Sequence, residues 1–198
     1  EEMTSARPTR RSPLYAHLKA AGACFGEKLG WERPNWFAAA GETPVDRYSY
    51  QRPGWFDAVG REHRAARSSA VLIDQTSFAK FTLKGPDAAA VLNGIAAGNV
   101  DGPVGRLTYS QMLNRKGGIE ADVTIARVAQ DEFYIVTGTG FATHDFDWIA
   151  RNIPADAKCQ LVDVTSAYSV LSLMGPNARQ ILARVSPDDL SNAALPFG

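Results

Sequence analysis

From Phe56 onward, hydrophobic and polar positions fall into short blocks with two periods. Where every second residue is apolar, a strand with one buried face is predicted; where apolar residues recur at three and four, a helix. On this basis residues 56–70 read as a helix, 71–74 ("VLID") as a short buried strand and 78–85 ("FAKFTLKG") as an alternating strand. Residues 86–96, opening on proline, read as a helix. Three strands follow at 106–114, 118–129 and 132–138, then a helix over 141–153, strands at 159–165 and 168–175, and a last helix over 176–185. Three consecutive strands joined by short turns predict an antiparallel or mixed sheet, so the class is α+β and not doubly wound α/β. Two strand–Gly-Pro–helix stretches, "LKGPDAAAVL" and "LMGPNARQIL", form a weak internal repeat and suggest two related half-sheets.

The first third is patterned differently. Ser12-Pro13 gives a helix start, and "PLYAHLKAAGACFGEKLG" places Leu14, Leu18 and Ala21 at helical spacing, with Gly30 as the stop. Residues 31–60 are rich in Pro, Gly and aromatics and have little periodicity, yet hold Trp31, Trp36 and Trp55. So many tryptophans imply a segment pinned onto something: its own domain, a domain outside this chain, or an aromatic cage around a cofactor. The division that follows is a linker and end of a preceding region over residues 1–55, and a folded domain over 56–198.

Composition narrows the partners. Lys plus Arg and Asp plus Glu both number 21 among 198 residues, a formal net charge of zero. That argues against nucleic acid or a membrane surface as the main partner. No apolar run approaches the roughly 18 residues of a membrane span. Cys24 and Cys159 have no metal-type spacing and read as free thiols of a reducing compartment, the cytosol or, in a eukaryote, the mitochondrial matrix. The opening "EEMTSARPTRRSPLY" reads as the start of a piece cut from a longer chain.

The candidate chemistry centres on "NRKGGIEADVTIARV", residues 114–128. Ile119, Ala121, Val123 and Ile125 make one apolar face of the strand, and Glu120, Asp122 and Thr124 share the other. Asp is a poor strand former, so a mid-strand Asp122 belongs either to a wet sheet face or to a cavity wall. A short loop joins this strand to "RLTYSQMLN", which brings Tyr109 or Ser110 near Asp122, depending on register. A carboxylate beside a phenol or hydroxyl suits a cationic amine or a donor-rich heterocycle. Gly138 and Gly140, after a strand and before a helix, imitate a dinucleotide fingerprint, but Thr143 occupies the third glycine position. His17, His63 and His144 lack partners at metal-ligand spacing, and His144 reads as a first-turn helix residue.

"SPLYAHLKAAGACFGEKLGWERPNWF" resembles the junction of sarcosine and dimethylglycine dehydrogenases that joins their flavin-bearing and folate-binding parts. "VLIDQTSFAKFTLKGPDAAAVLN", "GRLTYSQMLNRKGGIEADVTIARV" and "FYIVTGTGFATHDFDWI" resemble the first half of the folate part, which is related to the glycine-cleavage T-protein, an aminomethyltransferase. The resemblance implies a ferredoxin-like, truncated T-protein-like fold. It implies that Asp122 is the key carboxylate beside tetrahydrofolate and the substrate amine, that Tyr109 is a pocket tyrosine, and that Met112 and Thr124 line the pterin pocket. Gly138 stands where the T-protein usually has Asn. The implied chemistry is FAD-dependent oxidation of an N-methyl amine in a flavin domain absent here, followed by one-carbon transfer to tetrahydrofolate as methylene-tetrahydrofolate. A later Gly-Glu-x-Gly type motif that grips the pterin is also absent, so a fragment with half a folate site is expected. The alternative is a non-catalytic regulatory module of the same architecture.

Overall fold

The computed structural model describes residues 3–197. The elements are α1 (Tyr15–Ala20), β1 (Ala23–Lys28), β2 (Trp31–Phe37), α2 (Phe56–Ser68), β3 (Val71–Asp74), β4 (Ala79–Lys84) and α3 (Ala88–Ile95). Then come β5 (Leu107–Leu113), β6 (Ile119–Ala129), β7 (Glu132–Thr137), a 3-10 turn (Thr139–Phe141), α4 (Ala142–Arg151), β8 (Gln160–Asp163), β9 (Leu171–Met174) and α5 (Ala178–Leu182). They divide into two compact units. One runs up to Ser77 and includes Ser169–Phe197; the other is Phe78–Tyr168. Position 55/56 lies inside the first unit.

The second unit is a five-stranded sheet in the order β5-β6-β7-β4-β8. All of its ladders are antiparallel, so the parallel order that a dinucleotide fold requires is not present. Alternation sends Phe81, Leu83, Val123, Ile125, Phe133 and Ile135 to one face, each at most 1% exposed. Against them pack Val91 and Leu92 of α3 and Ile149 of α4. Each such side chain contributes about 1.5–3 kcal/mol by leaving water, and this cluster supports the strand that carries Asp122.

In the first unit β1 and β2 form a hairpin. The single helix expected over 13–30 is therefore corrected: it stops at Ala20. Gly22 has φ +89°, and a Cβ there would lie 3.0 Å from the carbonyl oxygen of Ala38. The chain turns at that point, and Gly30, expected as a helix stop, instead joins Leu29 in a two-residue hairpin turn with both φ values positive. The Pro- and aromatic-rich segment also contains a strand, β2. Trp31 and Trp36 are buried, at 6% and 5% exposure. Trp36 packs with Cys24 and Ala58, and the half-buried Trp55 lies against that cluster. Arg10 stacks over Trp31 at 4.4 Å, and Arg7 forms a two-pronged pair with the buried Glu32 at 2.8 and 2.7 Å. Trp31 and Trp36 are thus held by their own unit.

"VLID" is likewise corrected: Leu72 and Ile73 are 54% and 41% exposed, because among the described residues β3 has only β9 as a sheet partner.

The Gly-Pro repeat extends to atomic detail. β4 pairs with β8 through Phe81↔Asp163, Thr82↔Val162, Leu83↔Leu161 and Lys84↔Gln160. β9 pairs with β3 through Leu171↔Asp74, Ser172↔Ile73, Leu173↔Leu72 and Met174↔Val71. In each pair an Asp-x-Thr segment ends the outer strand. Asp163 and Asp74 accept from the amides of Thr165 and Thr76, and these threonine hydroxyls accept from the amides of Lys80 and Val170. Gly85 (φ +144°) and Gly175 (φ +116°) then let the backbone press onto Cys159 and Ala70, where an added Cβ would lie 2.6 and 2.9 Å from the Cα. The first repeat supplies β3 and β4, the second β8 and β9. Each half-sheet therefore combines one strand from each repeat.

Candidate functional site

The β5–β6 register decides which residues meet. Gln111 pairs with Asp122 and Tyr109 with Thr124, so these four share the polar face, and Ser110 turns to the core at 3% exposure. The Tyr109 hydroxyl donates to Asp122 Oδ2 at 2.9 Å, and Gln111 Nε2 donates to Oδ1 at 3.3 Å. Both carboxylate oxygens are thereby oriented while the group remains exposed. The hydrogen bond to Asp122, reinforced by local burial and the carboxylate's charge, holds the Tyr109 phenol above its ordinary value of 10. Thr124 pairs with Val136 on the other side. Past Val136 the strand ends at Thr137, and Gly138, with φ −63°, caps the 3-10 turn that follows. At Gly138 a Cβ would sit 3.3 Å from the Phe141 ring.

Met112 is not brought to this group. It pairs with Ala121, is fully buried and belongs to the apolar core on the opposite face. Of the two settings open to Asp122, the described residues present an exposed face: Tyr109 is 69% exposed. Asp122 is exposed with it, while Gln111 and Thr124 are half-buried.

Sequence reading missed two parts of the site. Gln111 shares parity with Tyr109, and period two alone could have found it. The other part is a chain of contacts at the start of α4. Asp145 is 1% exposed and receives the Thr137 hydroxyl at 2.5 Å and His144 Nδ1 at 2.9 Å. His144 Nε2 lies 3.5 Å from Glu120 Oε2, and Glu120 Oε1 accepts from Asn114 Nδ2 at 2.7 Å. Thr137 Oγ1 is also 3.4 Å from the backbone oxygen of Asp122. Carboxylates face both ring nitrogens, and only the imidazolium can donate to both. The Asp145 hydrogen bond, then the charges of Asp145 and Glu120, accordingly raise the His144 pKa against a smaller desolvation effect. The signal available in sequence was Asp145 standing four residues before Ile149, on the helix face that packs inward.

Both cysteines are free thiols. Among the described residues no helix is long and apolar enough to cross a membrane.

The fold is an α+β unit with an antiparallel sheet and an oriented carboxylate on an exposed face, and comparison with known proteins places it in a family. The GCVT N-terminal domain family matches residues 14–198, and the chain belongs to that family. It is 42% identical over 193 residues to the 4-methylaminobutanoate oxidase (formaldehyde-forming) of Paenarthrobacter nicotinovorans, covering 98% of this chain and 23% of that protein. It is 32% identical to human mitochondrial sarcosine dehydrogenase, covering 100% of this chain and 26% of that protein. The glycine cleavage system aminomethyltransferase T from Bartonella henselae superposes with a TM-score of 0.75 at 26% identity, over 92% of this chain and 45% of that one. The chain spans about a quarter of the length of the curated relatives it matches, and its fold is that of the aminomethyltransferase T-protein.

Proposed function

We propose that this chain carries part of the tetrahydrofolate site of a longer protein that oxidises an N-methyl amine, and that Asp122 is its central carboxylate. The observation that carries the reading is the Tyr109–Asp122 hydrogen bond at 2.9 Å on an exposed sheet face, within a chain of the GCVT N-terminal domain family. A strand spends a poor sheet former at this position and then orients both of its oxygens, one with a phenol and one with an amide. A carboxylate so held offers its remaining lone pairs in a fixed direction to the N–H groups of a pterin or a protonated amine.

In this reading residues 56–198 form the first part of the folate-binding region, and residues 1–55 lead into it from a flavin-bearing part. FAD bound in that part would supply the amine oxidation. The residues here hold and orient the folate and stabilise cationic nitrogen, and Asp122 relays the proton that leaves as carbon is transferred. Thr124 on the same face and Gly138, just past the end of β7, would border the pterin. Met112 supports the strand from behind.

The first test is a calorimetric titration of tetrahydrofolate into the chain, with Asp122→Ala as the comparison. Binding that the substitution weakens at least tenfold is expected. Equal binding by both proteins overturns the role of Asp122. In the full-length protein, Asp122→Asn is expected to abolish folate-coupled transfer while amine oxidation continues. Parallel loss of oxidation counts against the assignment.

A further inference from the structure

A second candidate site lies in the first unit and uses the aromatic residues that the folate reading leaves idle. A cavity of about 330 Å³ is lined by Asn35 and Trp36 of β2, Asp46 and Tyr48 of the following loop, and Trp55 and Val59 at the start of α2. Its volume is near the lower end of small-molecule sites, roughly 300 Å³. The loop is closed by the Gly54 amide donating to the Arg47 carbonyl at 2.8 Å. This closure sets Tyr48 edge-to-face against Trp55, with centroids 5.4 Å apart at 81°. Trp36 is 5% exposed and anchored in the apolar cluster, so one wall is rigid. Tyr48 is 78% exposed and forms the open side.

Asp46 supplies the charge. Its Oδ1 accepts from the Trp36 indole N–H at 2.6 Å and from the Cys24 thiol at 3.5 Å. Among the described residues its Oδ2 makes no hydrogen bond, and the carboxylate has no ion-pair partner. The lining holds one carboxylate, three aromatic rings and no basic side chain. Aromatic faces attract cations, and methylated ammonium groups are favoured because they shed water more readily than NH₃⁺. An uncompensated carboxylate at the same cavity adds long-range attraction and excludes anions.

We propose that Trp36, Tyr48, Trp55 and Asp46 form a binding site for a small methylated ammonium cation that carries no carboxylate of its own. Zwitterionic methylamino acids are disfavoured because the lining offers no basic side chain to their acid group and the Asp46 carboxylate repels it. The site is independent of the folate reading and stands or falls separately from it.

The test is calorimetric titration of the chain with three probes: tetramethylammonium chloride, the alcohol 3,3-dimethyl-1-butanol, whose tert-butyl group is the neutral isostere of a trimethylammonium head, and glycine betaine. Tetramethylammonium is expected to bind in a 1:1 saturable manner and the other two at least about tenfold more weakly. Tyr48→Ala, which truncates an exposed ring, is expected to weaken binding between about two- and thirtyfold. Asp46→Asn keeps an acceptor for Trp36 and is expected to weaken it about tenfold or more. Thermal melts establish that both variants are folded, and Asp122→Ala is expected to leave the binding unchanged. No saturable binding of tetramethylammonium overturns the proposal. So does equal binding of the neutral isostere, which makes the cavity merely apolar. Binding unaffected by Tyr48→Ala places the cation elsewhere and overturns it too.

Discussion

Asp122 and Tyr109 are a coupled pair: the phenol donates to a carboxylate that loses its donor when the phenol ionises. Removing the carboxylate's charge should therefore let Tyr109 titrate earlier. Spectrophotometric alkaline titration, read as the difference between the chain and its Tyr109→Phe variant, is expected to give a value above the ordinary 10. The same difference measured in an Asp122→Asn background should move down. No movement would mean that the phenol points away from Asp122 in solution. His144 is the other residue with a legible pH response. Its imidazolium is stabilised by Asp145 and Glu120 in the folded state, which raises its pKa above 6.5. Its stabilising contribution is complete below the unfolded value and fades as pH rises through the folded one. The melting temperature of the chain minus that of His144→Gln should therefore be larger at pH 6 than at pH 8. A difference that is flat or reversed across that window contradicts the clamp.

At the scale of elements, the repeated strand–Gly-Pro–helix unit concentrates its demands at two glycines and two threonines. Gly85 and Gly175 adopt positive φ, and each faces backbone at a distance no Cβ tolerates. Gly85→Ala or Gly175→Ala is expected to cost about 1–3 kcal/mol from conformation alone, and more from the clash. Thr165→Val or Thr76→Val removes one acceptor for a backbone amide, at about 1 kcal/mol each. Urea unfolding of the four variants checks both figures, and a neutral Gly85→Ala would show that the turn can rearrange. The repeat was visible in sequence as two Gly-Pro helix openings. The pairing was not, because each repeat strand pairs with one from the other repeat, from Lys84↔Gln160 to Val71↔Met174, far along the chain. Similarly, the alternation around Asp122 placed its face correctly, while the choice between Tyr109 and Ser110 waited for the register. A slip of one residue exchanges the faces. The helix read over residues 13–30 failed because three apolar residues at helical spacing were outweighed by Gly22 and by the β2 strand available to pair with Ala23–Lys28.

At the scale of the whole molecule, the two units differ in how their sheets are supported. The second has five strands and a continuous apolar cluster. The first has a two-stranded hairpin and a two-stranded pair with exposed Leu72, Ile73, Leu171 and Met174. Isolated two-stranded sheets are marginal, so opening should begin there. In native-state hydrogen exchange the amides of β4, β6 and β7 should be the slowest and those of β3 and β9 faster. Uniform protection across both sets would contradict this difference.

The sequence by itself determined the class, the element order from Phe56, the apolar face of β6 and the oddity of a mid-strand aspartate. All of these follow from periodicity and from the chemistry of single residues, which act over a few positions of the chain. Only the tertiary structure decided that Tyr109 and Gln111 orient Asp122, that Met112 lies behind the sheet, that His144 bridges two carboxylates, and that Trp36, Tyr48 and Trp55 meet around Asp46. Each of these depends on strand register, on loop closure or on which helix face turns inward. Those are fixed by contacts between residues far apart in sequence, where local pattern carries no information.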